Sequence, residues 1–184
     1  MPNSDALLFE IRPVEGSDDD RRQLAALLIE TVAAGGSVSF MHPLSGEAAQ
    51  RFWDRSLASA GRGERAILGA WAGDKLAGTV TLLLDFPENQ QHRAEIAKLM
   101  TGLEFRGRGV ARALMGAAEK LAVERGKSHL LLDTAAEDGA AGLYEKFGFS
   151  LSGEIPNFAQ KPYGGLTGTL IFWKELHSAQ RKGR

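Results

Sequence analysis

The sequence predicts a single α/β domain of the α+β kind, a mixed central sheet of about six to seven strands flanked by about four helices. Three observations predict it. A hairpin signal at Ala72-Gly73-Asp74-Lys75 joins two apolar runs, which makes part of the sheet antiparallel. A strand at 94–101, a helix at 110–125 and a short apolar strand at 129–134 form a βαβ unit, which makes another part parallel with a right-handed crossover. Finally, 184 residues, 43% hydrophobic and 24% charged, are enough for one core and match an ordinary globular chain.

The elements follow in order. Residues 7–14, LLFEIRPV, alternate enough for a strand, which Pro13 and Gly16 close. Ser17 then caps a helix over 18–34, with Asp18, Asp19 and Asp20 in its first turn and paired glycines at its end. A second helix spans 46–60 and stops at Gly61-Arg62-Gly63. Between the two helices, SVSFMHPLS at 37–45 sets bulky apolar residues beside His42 and Pro43. It reads equally as a connector that plugs the core and as a wall over a pocket.

Residues 66–86 supply the hairpin strands, and after PENQQHR the segment at 94–101 adds a third strand to an antiparallel meander. The next helix carries Val110, Leu114, Ala117, Leu121 and Ala122 at helical spacing and ends at Gly126. After the strand at 129–134 come a helix over about 138–146 and two last strands in FGFSLSGEIPNF and TGTLIFWKEL. Residues 1–176 thus make one domain, and the basic HSAQRKGR at 177–184 reads as a disordered tail.

Composition excludes several function classes. A formal net charge of -1 argues against bulk nucleic-acid binding, which usually shows as a strongly basic domain, so any positive patch is local. The absence of cysteine removes thiol catalysis, disulfides and thiolate metal sites. His42, His92, His129 and His177 show no ligand spacing, so no metal is expected. An early Asp5 without a basic region ahead of a long apolar run argues against a signal peptide, and no run has the length to span a bilayer. The expectation is a cytoplasmic protein that acts on neither membrane nor nucleic acid.

The chemistry concentrates in EFRGRGVARALM, 104–115. Gly107 and Gly109 let backbone N–H groups converge at the mouth of a helix, whose dipole is positive there, so the loop reads as an anion site. Arg106 and Arg108 add forked donors suited to phosphate oxygens. A tight glycine turn with two solvated arginines is the plainer reading of the same four residues. Neither nucleotide fingerprint fits: GxxxxGK[ST] is absent, and Arg112 stands in the last glycine place of G-x-G-x-x-G.

The pattern [RQ]-x-x-G-x-[GA] does fit, as Arg106-Gly107-Arg108-Gly109-Val110-Ala111, after a strand with AEIAKLM and before LYEKFGF at 143–149. Together these segments resemble the GNAT superfamily of acyl-CoA-dependent N-acyltransferases. The resemblance implies the GNAT fold and acetyl-CoA as cosubstrate, with Arg106, Gly107, Arg108, Gly109, Val110 and Ala111 holding the pyrophosphate. It implies that backbone groups of Leu99, Met100 and Thr101, on a bulged strand, pair with the pantetheine arm. Tyr144 is then the general acid for the leaving thiolate, although a tyrosine packed in the core by its ring also fits the position. Glu137 departs from the asparagine frequent in the family, and Leu103 from a frequent proline. AEIAKLM, RGRG, LLLDT and GEIPNFAQKPYGGLTGTLIFWKEL further resemble the tabtoxin-resistance branch of acetyltransferases, over about 94–176.

An amine acceptor must lose a proton before it attacks. The branch resemblance points to Glu95 and Asp133, on strands the βαβ unit makes neighbours, as base candidates. Each also has a structural reading, Glu95 as a strand-face charge paired to Arg93 or Lys98 and Asp133 as a cap on the next helix. The oxyanion donor implied by the family is the backbone N–H of Met100 or Thr101. Phe40, His42, Trp53, Phe158 and Tyr163 are candidate walls of the acceptor pocket. The expected function is acetyl transfer to a small-molecule amine, amino-acid-like or toxin- or antibiotic-like, by a monomer or homodimer. A catalytically silent acyl-CoA sensor is the rival reading, and a phosphate- or nucleotide-binding protein the third.

Overall fold

The structure is a computed structural model that describes residues 9–176. Its elements run β1 (Glu10–Pro13), α1 (Asp18–Ala33), α2 (Gly46–Gly61), β2 (Arg65–Ala72), β3 (Lys75–Leu83), β4 (Arg93–Thr101), α3 (Val110–Glu124), β5 (His129–Ala135), α4 (Ala141–Lys146), β6 (Ser150–Gln160) and β7 (Leu166–Glu175). The expected basic tail at 177–184 lies outside the described residues, as does the start of the first expected strand. The strands form one mixed sheet in the order β1-β2-β3-β4-β5-β7-β6, in which β4 and β5 are the parallel pair. With the four α-helices of the described residues, this is the mixed sheet of six to seven strands and about four helices that the sequence predicts.

Helix α1 starts at Ser17 because the hydroxyl accepts from the Asp20 N–H at 3.1 Å while Asp20 Oδ2 accepts from the Ser17 N–H at 3.2 Å. Two orphan amides of the first turn are thereby satisfied. Leu24, Leu28 and Val32 repeat every four residues and are fully buried. Helix α2 buries Ala49 and Trp53 beside them, and an Arg21–Asp54 ion pair joins the two helices. Both cover one face of the sheet over Ile67, Trp71, Leu76 and Met100.

The opposite face is covered by α3, whose Val110, Leu114, Ala118 and Ala122 pack on Val80, Leu82, Ile96 and Leu130. Gly78 of β3 sets how closely that helix approaches: a Cβ there would lie 2.6 Å from the Met100 carbonyl oxygen and 2.7 Å from Val110 Cγ1. Glycine lets the end of β4 and the start of α3 close up against β3. Helix α4 begins at Ala141, later than the expected 138, because Gly139 takes φ +69° and the chain turns before it can coil.

The feature that makes room for a site is a split in the sheet. β4 pairs with β5 only from Arg93 to Ile96, opposite His129 to Leu132. Beyond that point β4 pairs only with β3, and β5 only with β7, so the two strands part. Thr81 faces Ala97 and Thr79 faces Met100, which leaves Lys98 and Leu99 together opposite Val80. The extra residue is a bulge that bends β4 away, with Lys98 at φ +51°.

Candidate active site

A cleft of about 570 Å³ fills the split. One side is the parted end of β4, including Leu99, Met100 and Thr101; the other is the end of β5 with Asp133 and Thr134. Because β5 does not pair with this part of β4, backbone groups along that edge face the cleft. Such groups require a partner, and an extended ligand lying along β4 would supply one.

At one end β4 leads through a single turn at Leu103–Phe105 into the arginine–glycine loop. Gly107 and Gly109 take φ +74° and +85°, the left-handed region that costs other residues strain. Gly109 is the N-cap of α3, and no acidic residue occupies the first turn. The first amide taken up within the helix is that of Ala113, which donates to the Gly109 carbonyl at 3.0 Å. The N–H groups of Val110, Ala111 and Arg112 therefore have no partner within the helix. Arg106 reaches the cleft lining, and Arg108 lies 6.0 Å from the Phe105 ring centroid. A cradle of free amides beside two arginines fits a pyrophosphate in shape and charge.

Deeper in the cleft, Asp133 and Tyr144 stand on neighbouring elements. Asp133 is exposed to the cavity, and its Oδ2 accepts from the Thr169 hydroxyl at 3.1 Å. Tyr144 projects from α4, its ring packed near Phe149 and Phe172, with only 8% of the residue exposed. Burial pushes its phenol pKa upward, the Asp133 and Asp138 charges add to that, and Thr134 opposes it through a hydrogen bond. The phenol thus keeps its proton through the neutral range. A protonated hydroxyl and a carboxylate on one cleft can give a proton to one group and take one from another.

The remaining expected residues fall into two sets. Phe40 and Phe158 line the cavity. Glu95 does not: it pairs with Arg93 at 3.4 Å, one of the two partners expected for a strand-face charge. His42 stacks on Tyr163 at 4.4 Å, its backbone N–H donates to the Pro162 carbonyl, and the Tyr163 hydroxyl donates to the Ala33 carbonyl at 2.7 Å. These two form a latch on the rim between the 37–45 connector and the β6–β7 turn. Trp53 is fully buried in the core, one ring behind Phe52, which in turn packs edge-on to Phe40. Glu137, at the position of the family's asparagine, pairs with Lys161 at 2.9 Å.

Both readings of the connector hold, since Val38, Phe40 and Leu44 pack against the core while residues 37–40 line the cleft. Sequence reasoning missed Thr169, Ser39 and Lys98. A threonine on an apolar strand gives no signal of its partner, and the left-handed turn at a lysine has none. Among the described residues no group of three or more His, Asp or Glu side chains is placed to hold a metal ion, and no helix is long and apolar enough to cross a membrane.

The family model described as "Acetyltransferase (GNAT) family" matches residues 22–149. A human protein, N-acetyltransferase 8B, is 35% identical over 83 residues, 44% of this chain. The chain spans only 37% of that relative's length. Among solved structures, a ribosomal-protein-alanine N-acetyltransferase from Brucella melitensis aligns with a TM-score of 0.78 at 22% identity, covering 91% of this chain and 99% of that one. An N-acetyltransferase from Staphylococcus aureus Mu50 aligns with a TM-score of 0.77 at 18% identity, covering 92% and 99%.

Proposed function

Because the chain belongs to the acetyltransferase (GNAT) family, we propose that it moves an acetyl group from acetyl-CoA to the amine of a small molecule, both substrates being held in the cleft at once. What supports this most is that the open edge of β4, Arg106 and Tyr144 line a single cavity, and that the free amides at the start of α3 follow Arg106 within a few residues. Arg106, Gly107, Arg108, Gly109, Val110 and Ala111 are the pyrophosphate residues in this reading, and Leu99, Met100 and Thr101 the backbone ladder for the pantetheine arm. When bound, acetyl-CoA supplies an activated thioester carbonyl.

The chain's own groups do the rest. A backbone N–H at Met100 or Thr101 donates to the carbonyl oxygen as negative charge develops on it. Asp133 takes the proton that the attacking amine must lose, directly or through water, while its Oδ2 is held by Thr169. Glu95, outside the lining and paired with Arg93, serves from the second rank through its charge. Tyr144 gives its proton to the departing sulfur and regains one from solvent between turnovers. Phe40 and Phe158 wall the acceptor, with His42, Tyr163 and Trp53 supporting that wall from the rim and the core.

The acceptor is amino-acid-like or toxin- or antibiotic-like, in keeping with a cleft of about 570 Å³ and with the resemblance to the tabtoxin-resistance branch. A cytoplasmic location belongs to the same reading. The rival, a silent acyl-CoA sensor, keeps the loop and forgoes the chemistry. Thiol release from acetyl-CoA against a panel of amines, amino acids, aminoglycosides, polyamines and β-lactam-like dipeptides separates the two. Release that depends on one class of amine supports the enzyme, whereas CoA binding without release on any of them favours the sensor.

A further inference from the structure

Lys98 has no part in the pyrophosphate loop or in the proton transfers described above, yet it lines the cleft. It occupies the bulge of β4 with a left-handed backbone, φ +51°. Ser39, from the connector between α1 and α2, is left-handed too, with φ +73°. Backbone in this region is disfavoured for both residue types. The two nevertheless meet across 59 positions of sequence, Lys98 Nζ donating to Ser39 Oγ at 3.0 Å. Strain on both sides of one contact is a reason to look for function.

The ammonium has three donors, and this is its one hydrogen bond among the described residues. It forms no ion pair there: Glu95 is taken by Arg93, and Asp133 by Thr169. Burial lowers the lysine's pKa, while the Asp133 and Glu95 charges raise it and Arg65 lowers it further. A half-buried cation with no carboxylate in direct contact is costly to keep. The Phe52 ring centroid is 5.8 Å from Nζ, and elsewhere on the cavity-lining connector Ser37 Oγ is enclosed without a hydrogen-bond partner.

The phosphates of the cosubstrate do not account for this cation. Lys98 precedes Arg106 by eight residues and is bonded to the connector rather than to the loop. Lys98 stands opposite Val80 and Thr101 opposite Gly78, and a strand rises about 3.3 Å per residue, so even Thr101, where the strand ends, is roughly 7 Å further on. What remains is the acceptor. We propose that Lys98 determines acceptor specificity: its ammonium, tethered by Ser39, receives a carboxylate of the acceptor, so that the acceptor is an amine that also carries a carboxylate, as an amino acid does. Asp133 for the amine and Lys98 for the carboxylate complement the two charges of such a molecule. The inference rests on the acetyl-transfer reading for its meaning, though the carboxylate site can be tested without turnover.

Two measurements on the full chain test it. In the first, kcat/KM is compared for L-amino acids and their matched carboxamides. Wild type is expected to prefer the acid at least about tenfold, Lys98→Met to bring that ratio near one through KM for the acid, and Lys98→Arg to restore part of it. A wild-type preference for the carboxamides, or a Lys98→Met variant that keeps the ratio, overturns the proposal. In the second, lysines are trace-labelled with acetic anhydride and read peptide by peptide by mass spectrometry. L-amino acids are expected to protect Lys98 where the carboxamides do not, and equal labelling overturns the proposal. If protection is found without any turnover, the carboxylate site stands and the acetyl-transfer reading fails.

Discussion

Thr169 Oγ1 donates to Asp133 Oδ2 at 3.1 Å, sharing its one proton with the Thr134 carbonyl at 3.2 Å, so a hydroxyl on β7 restrains the carboxylate that β5 presents to the cleft. Removing that hydroxyl without changing shape should loosen the carboxylate. Thr169→Val is expected to lower kcat by about fivefold, the equivalent of one hydrogen bond of about 1 kcal/mol, with KM for acetyl-CoA unchanged. Thr169→Ser should restore the rate, and steady-state kinetics on both variants checks it.

Tyr144→Phe is expected to lower kcat by about two orders of magnitude while CoA binding, measured by calorimetry, is retained. Its pH behaviour follows from burial, which raises the phenol pKa in the folded state above its ordinary value near 10. A raised folded pKa means that the stabilising preference for the protonated phenol is complete below about pH 10 and fades as pH climbs through the folded pKa. Urea midpoints taken between about pH 8 and 11 should fall at the alkaline end in wild type and fall less in Tyr144→Phe.

The arginine–glycine loop makes an electrostatic prediction. Arg106→Ala should raise KM for acetyl-CoA about tenfold at low salt, with the gap to wild type narrowing as ionic strength rises. Gly109→Ala keeps the charge and disturbs the backbone at φ +85°, a left-handed position that costs about 1–2 kcal/mol for a residue with a Cβ. It should therefore weaken CoA binding without that salt dependence.

Two glycines, Gly78 in the core and Gly116 on the exposed side of α3, predict opposite signs of stability change. Gly78→Ala drives a Cβ to 2.6 Å from the Met100 carbonyl oxygen and should destabilise by about 1–3 kcal/mol. Gly116, within α3, faces open space, with nothing within 4 Å of where a Cβ would stand, and Gly116→Ala should stabilise by about 0.5–1 kcal/mol through helix propensity. Urea unfolding of the two variants side by side reads both.

Much of the frame was legible because local chemistry encodes it. Ser17 with Asp20, the Gly73-Asp74 turn and the 110–125 periodicity each specify structure over a few residues, and each element is found within a residue or two of its expected place. Strand order is less local: nothing in TGTLIFWKEL says that β7 enters between β5 and β6 and thereby brings Thr169 to Asp133. The site shows the same division. The loop at 106–111 announces itself by composition, whereas Lys98 reads on sequence as a partner for Glu95. The bulge turns it instead toward Ser39 and leaves Glu95 to Arg93. A left-handed lysine is a tertiary outcome, imposed where β4 must bend away from β5. His42 and Trp53 illustrate the same limit, since aromatic character alone does not separate a rim latch or a core ring from a cavity wall.

The central claim is that one cleft holds the pyrophosphate at the start of α3 and the reacting sulfur at Tyr144. A crystal structure of the protein with CoA tests it most directly. The expected result is pyrophosphate oxygens accepting from the amides of residues 107–111, the pantetheine arm paired with Leu99 to Thr101, and the sulfur within hydrogen-bonding reach of the Tyr144 hydroxyl. A sulfur lying away from Tyr144, or a pyrophosphate bound elsewhere than this loop, would contradict it.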